Sequence, residues 1–224
     1  MKLRSIAAAL AATTVMVSTP AAAQQAGDIQ LRVFATGVLP SGDINEVERD
    51  DFGLPAGSQT RVTDSIVPTV AAEYFISDSF SIETICCITP HDVEGTNALA
   101  GVELIDDAIV LPATVTAKVH FPIGDTVRPY LGAGPALFFI FSENVGTGAA
   151  ALGIDDVGLS SEFGVALQAG ADFNLNDNGL VLGLDVKRYF VGTTATFSAG
   201  GTELIRTDHD LDPWVVSAGL GFRF

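Results

Sequence analysis

The last eleven residues, W-V-V-S-A-G-L-G-F-R-F at positions 214–224, alternate with a period of two. Trp214, Val216, Ala218, Leu220, Phe222 and Phe224 form a wholly apolar face, and Val215, Ser217, Gly219, Gly221 and Arg223 a smaller, more polar one. That period is a strand's. Aromatic residues at both ends of the apolar face, with one at the final position, fit a strand that crosses a membrane within a closed barrel. There the apolar face meets lipid, the aromatics sit at the two interfaces and the small face lines a narrow lumen. An alternating strand of a soluble half-buried sheet is the competing reading.

The other end of the sequence agrees. Lys2 and Arg4 precede an apolar run over residues 6–17, then Pro20 and the small residues Ala21, Ala22 and Ala23. This is the pattern of a secretory signal peptide, too short for a spanning helix, with cleavage expected after Ala23. The rest, residues 24–224, suits one domain. Loss of Lys2 and Arg4 with the leader takes the formal charge from −16 to −18, which argues against a nucleic-acid partner, since phosphate contacts need a basic footprint. A mean hydropathy of +0.39 beside such acidity is natural if apolar residues face lipid and acids occupy loops. The longest apolar run of the mature chain, residues 133–141, is broken by Gly134 and Pro135. Lipid satisfies no backbone hydrogen bonds, so a membrane location requires a closed barrel.

Alternation places strands at residues 28–39, 66–76, 80–89, 109–121, 128–141, 161–173, 180–196 and 214–224. Short turns at 77–79, 122–126 and 174–179 alternate with long loops at 41–64, 90–107, 142–158 and 197–210. The expected fold is therefore all-β, an eight-stranded antiparallel transmembrane β-barrel with long loops outside and short turns in the periplasm. The fifth strand is apolar on both faces and its facing is not assigned. The four long loops carry −13 of the charge. A solvated acidic surface is the simple account, and divalent-cation bridging to lipopolysaccharide phosphates the functional one. Asp208, Asp210 and Asp212 have calcium-like spacing but lack the glycine and distal glutamate of an EF-hand loop, so no metal site is assigned.

Inward positions carry Arg32, Lys118, Lys187 and Arg223 with Glu73, Glu83, Glu162, Asp172 and Asp185. Charges in a narrow lumen have incomplete hydration, so a cross-lumen ion-pair network is expected, with a proton or ion path as the functional alternative. Side chains can fill an eight-stranded interior, which argues against a wide aqueous pore. Cys86 and Cys87 point to opposite faces and are poorly placed to bridge. His91 and His209 fall in loops and His120 near a periplasmic turn, where solvent exposure is expected. With no nucleophile motif and no metal-ligand spacing, no catalytic residue and no cofactor is assigned.

R-P-Y-L-G-A-G at 128–134, L-D-P-W at 211–214 and the ending S-A-G-L-G-F-R-F resemble the outer membrane protein W (OmpW) family, supported by L-P-A-T at 111–114 and the segment around Glu83. Phe224 resembles the terminal aromatic by which outer-membrane proteins are handed to the barrel assembly machinery, and Trp214 and Phe222 belong to the same strand. The resemblance implies a bacterial outer-membrane barrel whose extracellular funnel admits small hydrophobic molecules and releases them sideways into the membrane. Phe34 and Ile85 fall where the funnel would be gated, and Lys187 where the family leads one to expect an aromatic. Pro68, Pro112 and Pro135 each remove a ladder donor and mark places where the wall is weakest. The competing function is a structural or interaction barrel whose acidic loops bind lipopolysaccharide, phage, colicin or host surfaces. Apolar loop residues such as Phe52, Leu54, Leu104 and Ile105 favour transport if they line a pocket.

Overall fold

The structure, a computed structural model, describes residues 25–224, so the expected signal peptide and its cleavage site lie outside the described residues. The elements in order are β1 (Ile29–Leu39), β2 (Asp43–Asp50), β3 (Ser58–Val62), β4 (Ser65–Ser77), β5 (Phe80–Cys86), β6 (Thr89–Asn97), β7 (Glu103–His120) and β8 (Val127–Phe141). There follow β9 (Asn144–Val145), α1 (Thr147–Ala151), β10 (Asp156–Leu159), β11 (Glu162–Asn174), β12 (Leu180–Phe190), β13 (Gly192–Ala199), β14 (Thr202–Asp210) and β15 (Trp214–Arg223).

Eight strands close the ring: β1, β4, β5, β7, β8, β11, β12 and β15, each antiparallel to the next. The last strand returns to the first, from Gln30 opposite Arg223 to Leu39 opposite Trp214. Closure leaves no unpaired edge within the lipid, where none would be tolerated. Along β1 the alternation is strict: Gln30, Arg32, Phe34, Thr36 and Val38 are buried inside, while Ile29, Leu31 and Val33 face outward. On β8, Arg128, Tyr130, Ala136, Phe138 and Ile140 point in, which resolves the strand whose sequence is apolar on both faces. Outward aromatics form two girdles. Phe139, Phe141, Phe163, Phe190 and Trp214 sit at the extracellular level, and Tyr74, Phe80, Phe121, Phe222 and Phe224 at the periplasmic level. Arg188 reaches up at the first girdle, its guanidinium 5.4 Å from the Trp214 ring and 3.2 Å from Asp212.

Three of the four long loops are not irregular. The stretch 41–64 holds β2 and β3, 90–107 holds most of β6 and the start of β7, and 197–210 holds β14. In 142–158 lie β9, α1 and part of β10. The expected third strand breaks after Cys86 and resumes as β6, and the seventh breaks at Val191 before β13. Outside the membrane, β10, β13, β14 and β2 form a second, four-stranded sheet. The Gln59 side chain holds it to the barrel by clasping both backbone groups of Ile44: Ile44 N donates to Oε1 at 2.8 Å and Nε2 donates to Ile44 O at 3.2 Å.

Candidate functional site

From the periplasmic end upward, the lumen is filled. Arg32 on β1 donates to Asp172 at 2.8 Å and Glu73 at 2.5 Å, and also pairs with Glu83. Lys118 lies 2.9 Å from Glu73 and 3.0 Å from Glu83, with its Nζ 3.7 Å above the centre of the Tyr130 ring. Lys187 holds Asp185 at 2.7 Å and Glu83 at 3.1 Å. Neutral groups complete the set. Gln168 donates to Glu83 and Asp185, Gln30 donates to Asp172, and the Tyr130 hydroxyl donates to Asp185 at 2.7 Å. Each of these side chains belongs to a residue 4% exposed or less, so the charges are dry and held on one another. Three cations and four carboxylates form the network.

Two residues expected in it stand apart. Glu162 begins β11 opposite Phe138, six residues from Gln168 and thus about 20 Å along the strand from the ion pairs. Arg223 sits at the periplasmic rim, 3.8 Å from Asp28 and 3.4 Å from Asn174. Tyr130, Gln168 and Gln30, which the charge pattern does not single out, carry as much of the network as the named residues.

The histidines are corrected as well: His120, His91 and His209 are all buried. His120 Nε2 lies 2.8 Å from Ser81 Oγ and 3.0 Å from Glu73 Oε1, so a serine, a histidine and an acid do converge. Both partners meet the same ring nitrogen, however, and Nδ1 has none. A hydrolytic triad needs the acid on the nitrogen opposite the serine, and this group lies sealed within the lumen.

Above the network the lumen changes character. Phe34, Ala71 and Ile85 form an apolar layer. With Thr69, Cys87, Lys187 and Tyr189, Phe34 and Ile85 line a pocket of about 50 Å³. One inward position above Lys187 stands Tyr189, which packs edge-on against Phe138 at 5.2 Å. The pocket shares His91, Val62, Val110 and Leu211 with a larger cavity of about 350 Å³ walled by the barrel mouth and the outer sheet. Phe52, Leu54, Leu104 and Ile105 all line that cavity, with Ala149 of α1 and Phe197 of β13.

Beside the smaller pocket the wall is incomplete. The β4–β5 ladder ends at Val70 opposite Cys86, and β3 meets β6 only from Val62 opposite Val93. Residues 65–69 of β4 therefore have no ladder partner on that side. On the far side of β5, the ladder to β7 runs up to Ile85–Thr114 and resumes with β6 at Thr89–Val110, so Pro112 is paired with Phe138 of β8 but has no partner on this side. Cys86 is exposed, Cys87 buried, and both are free.

The full extent of the described chain, residues 25–224, matches one family. It belongs to the OmpW family. Outer membrane protein W of Vibrio cholerae is 30% identical over 96% of this chain and 97% of its own. The crystal structure of OprG from Pseudomonas aeruginosa superposes with a TM-score of 0.80 at 25% identity, covering 90% of this chain and 97% of that one. AlkL, solved by solid-state NMR in lipid bilayers, shares the fold with a TM-score of 0.70 at 18% identity, over 95% and 97% of the two chains. The OmpW assignment places the barrel in the bacterial outer membrane, among relatives that are outer-membrane barrel proteins.

Acidic residues remain at the rim. Among the described residues, carboxylates of Asp92, Asp106 and Asp107 lie within 4.8 Å of one another, whereas Asp208, Asp210 and Asp212 form no such group. Asp92 Oδ1 accepts from the Asp107 amide at 3.0 Å, so part of this cluster is a contact between the paired strands β6 and β7.

Proposed function

We propose that this OmpW-family barrel admits small hydrophobic molecules at the cell surface and passes them sideways into the outer membrane. The observation that carries the reading is an apolar cavity of about 350 Å³ that leads to a small pocket over a dry, charged floor, where the strand ladder is interrupted. An apolar solute is disfavoured among ion pairs but welcome in lipid, so a gap at this level is the favourable way out. Ile85 and Phe34 form the step between cavity and floor, and Lys187, held by two carboxylates, is part of the floor. The extracellular loops fold inward onto each other around the cavity rather than splaying, which favours transport over adhesion.

Uptake of a small apolar fluorophore by liposomes holding the purified barrel tests this. Entry faster than into empty liposomes, and slowed by Ile85→Trp, supports the proposal. Equal entry, with folding confirmed by heat-modifiable gel mobility, overturns it in favour of a surface interaction protein.

A further inference from the structure

The polar groups that line the cavity are nearly all engaged within the protein. Thr60 Oγ1 donates to Gly42 O at 2.6 Å, Thr193 Oγ1 donates to Ser160 O at 2.9 Å, and Thr207 Oγ1 lies 2.7 Å from His209 Nε2. His91 differs. Its Nδ1 donates to the Thr63 carbonyl at 2.7 Å, and that bond fixes the tautomer and leaves Nε2 as an acceptor. Nε2 has no partner in the protein and, unlike His120 Nδ1, is not sealed off, and the residue lines both the cavity and the pocket beneath it. One step down, Thr69 lines the pocket, its Oγ1 buried and met only by the weakly bonding Cys87 thiol. It stands on the stretch of β4 that lacks a ladder partner.

We infer that the funnel recognises not bare hydrocarbon but an uncharged apolar molecule bearing one hydroxyl, a phenol or an alkanol. His91 Nε2 accepts its O–H in the cavity, just above the stretch of wall that lacks a ladder partner. This rests on the proposed passage of hydrophobic molecules and narrows its substrate class. The chemistry excludes the charged alternatives. A carboxylate would meet an acidic rim and then an apolar wall, and an ammonium would lose its hydration with only one neutral acceptor to replace it. Burial lowers the His91 pKa against the opposing pull of its Thr63 bond, Asp92 and Asp64, so the ring enters neutral pH with its lone pair free.

The test compares p-cresol with toluene, which differ by the hydroxyl alone, titrated into the full barrel in nanodiscs and corrected for each compound's partition into empty nanodiscs. The expected result is cresol binding about five- to tenfold tighter, the worth of one net hydrogen bond, with the ratio falling to near one in His91→Phe. A second readout needs no variant: cresol, and not toluene, shifts the His91 Nε2 resonance of the wild-type protein. Equal binding of the two compounds, or a His91 resonance indifferent to cresol, overturns this inference while saturable toluene binding keeps the hydrophobic cavity. Saturable binding of neither compound overturns both.

Discussion

Arg32 Nη1 and Asp172 Oδ1 meet at 2.8 Å across the lumen, one from the first strand of the barrel and one from the sixth. The same guanidinium reaches Glu73 and Glu83, so a single side chain bridges three carboxylates that have no access to water. In this barrel the apolar faces look outward to lipid, and the interior is bound together by charge. Removing Arg32 therefore acts as removing core packing does elsewhere. Arg32→Met should cost about 3–5 kcal/mol, the penalty for stranding buried partners, read as an earlier urea unfolding midpoint in lipid vesicles. A stability within 1 kcal/mol of wild type would mean that Lys118 and Lys187 suffice.

Gly170 makes room for the Tyr130 ring, since a Cβ there would collide with the Tyr130 hydroxyl and with the Leu184 carbonyl. Gly170→Val should cost about 1–3 kcal/mol from overpacking and should displace the hydroxyl from Asp185. The adjacent Ala169→Val points into lipid and should be close to neutral, and the two variants compared by thermal gel-shift separate lumen strain from a general effect on the strand.

Lys187 occupies the floor of the small pocket with its charge held by Asp185 and Glu83. In Lys187→Met, Asp185 keeps Tyr130 and Gln168, and Glu83 keeps Arg32 and Lys118, so the loss should be about 1–3 kcal/mol, the cost of an unmet partner. On the proposed function the same change makes the floor more apolar and speeds probe entry into liposomes. Slower entry would place Lys187 on the solute's path as an attractive group.

His209 joins β14 to the barrel mouth through Gly42 O at 3.2 Å and Thr60 at 3.1 Å, while Thr207 of the same strand holds its other ring nitrogen at 2.7 Å. Burial holds its imidazole below the usual range, against the Gly42 bond and the neighbouring Asp208, Asp210 and Asp43, which favour the charged form. When β14 detaches, the ring regains a pKa of about 6.5. The detached form then binds more protons as pH falls below that value, so the stability of the outer sheet is full at neutral pH and is lost progressively in acid. Hydrogen exchange of β14 amides, corrected for intrinsic rates, should accelerate from pH 7 to pH 5 relative to β1, and His209→Gln should flatten the difference.

The transmembrane part was legible because a barrel strand in lipid shows its lumen side as the polar one. Arg32, Glu73, Glu83, Lys118, Asp172, Asp185 and Lys187 all fall on that side of their strands. What was hidden has physical causes. In β2, D-I-N-E-V-E-R-D is polar apart from Ile44 and Val47, because water bathes most of both faces, and nothing in its pattern separates a strand from a loop. On β8 the inward groups are Gly132 and Gly134 as well as Tyr130 and Phe138, so small and aromatic residues mask the alternation. His91 and His209 read as exposed because the apolar neighbours that bury them come from distant strands. Glu162 was placed with the ion pairs because a period of two gives the side of a strand but not the height along it.

A lumen plugged by ion pairs also separates abundance from leakiness. An open pore adds a hole to the envelope with every copy made, so its number is limited by what the cell tolerates losing. On the proposed function, a barrel sealed at the level of Arg32 and opening sideways to the bilayer adds capacity for apolar solutes without adding a path for ions. On that reading, more copies would raise uptake while the membrane stays tight.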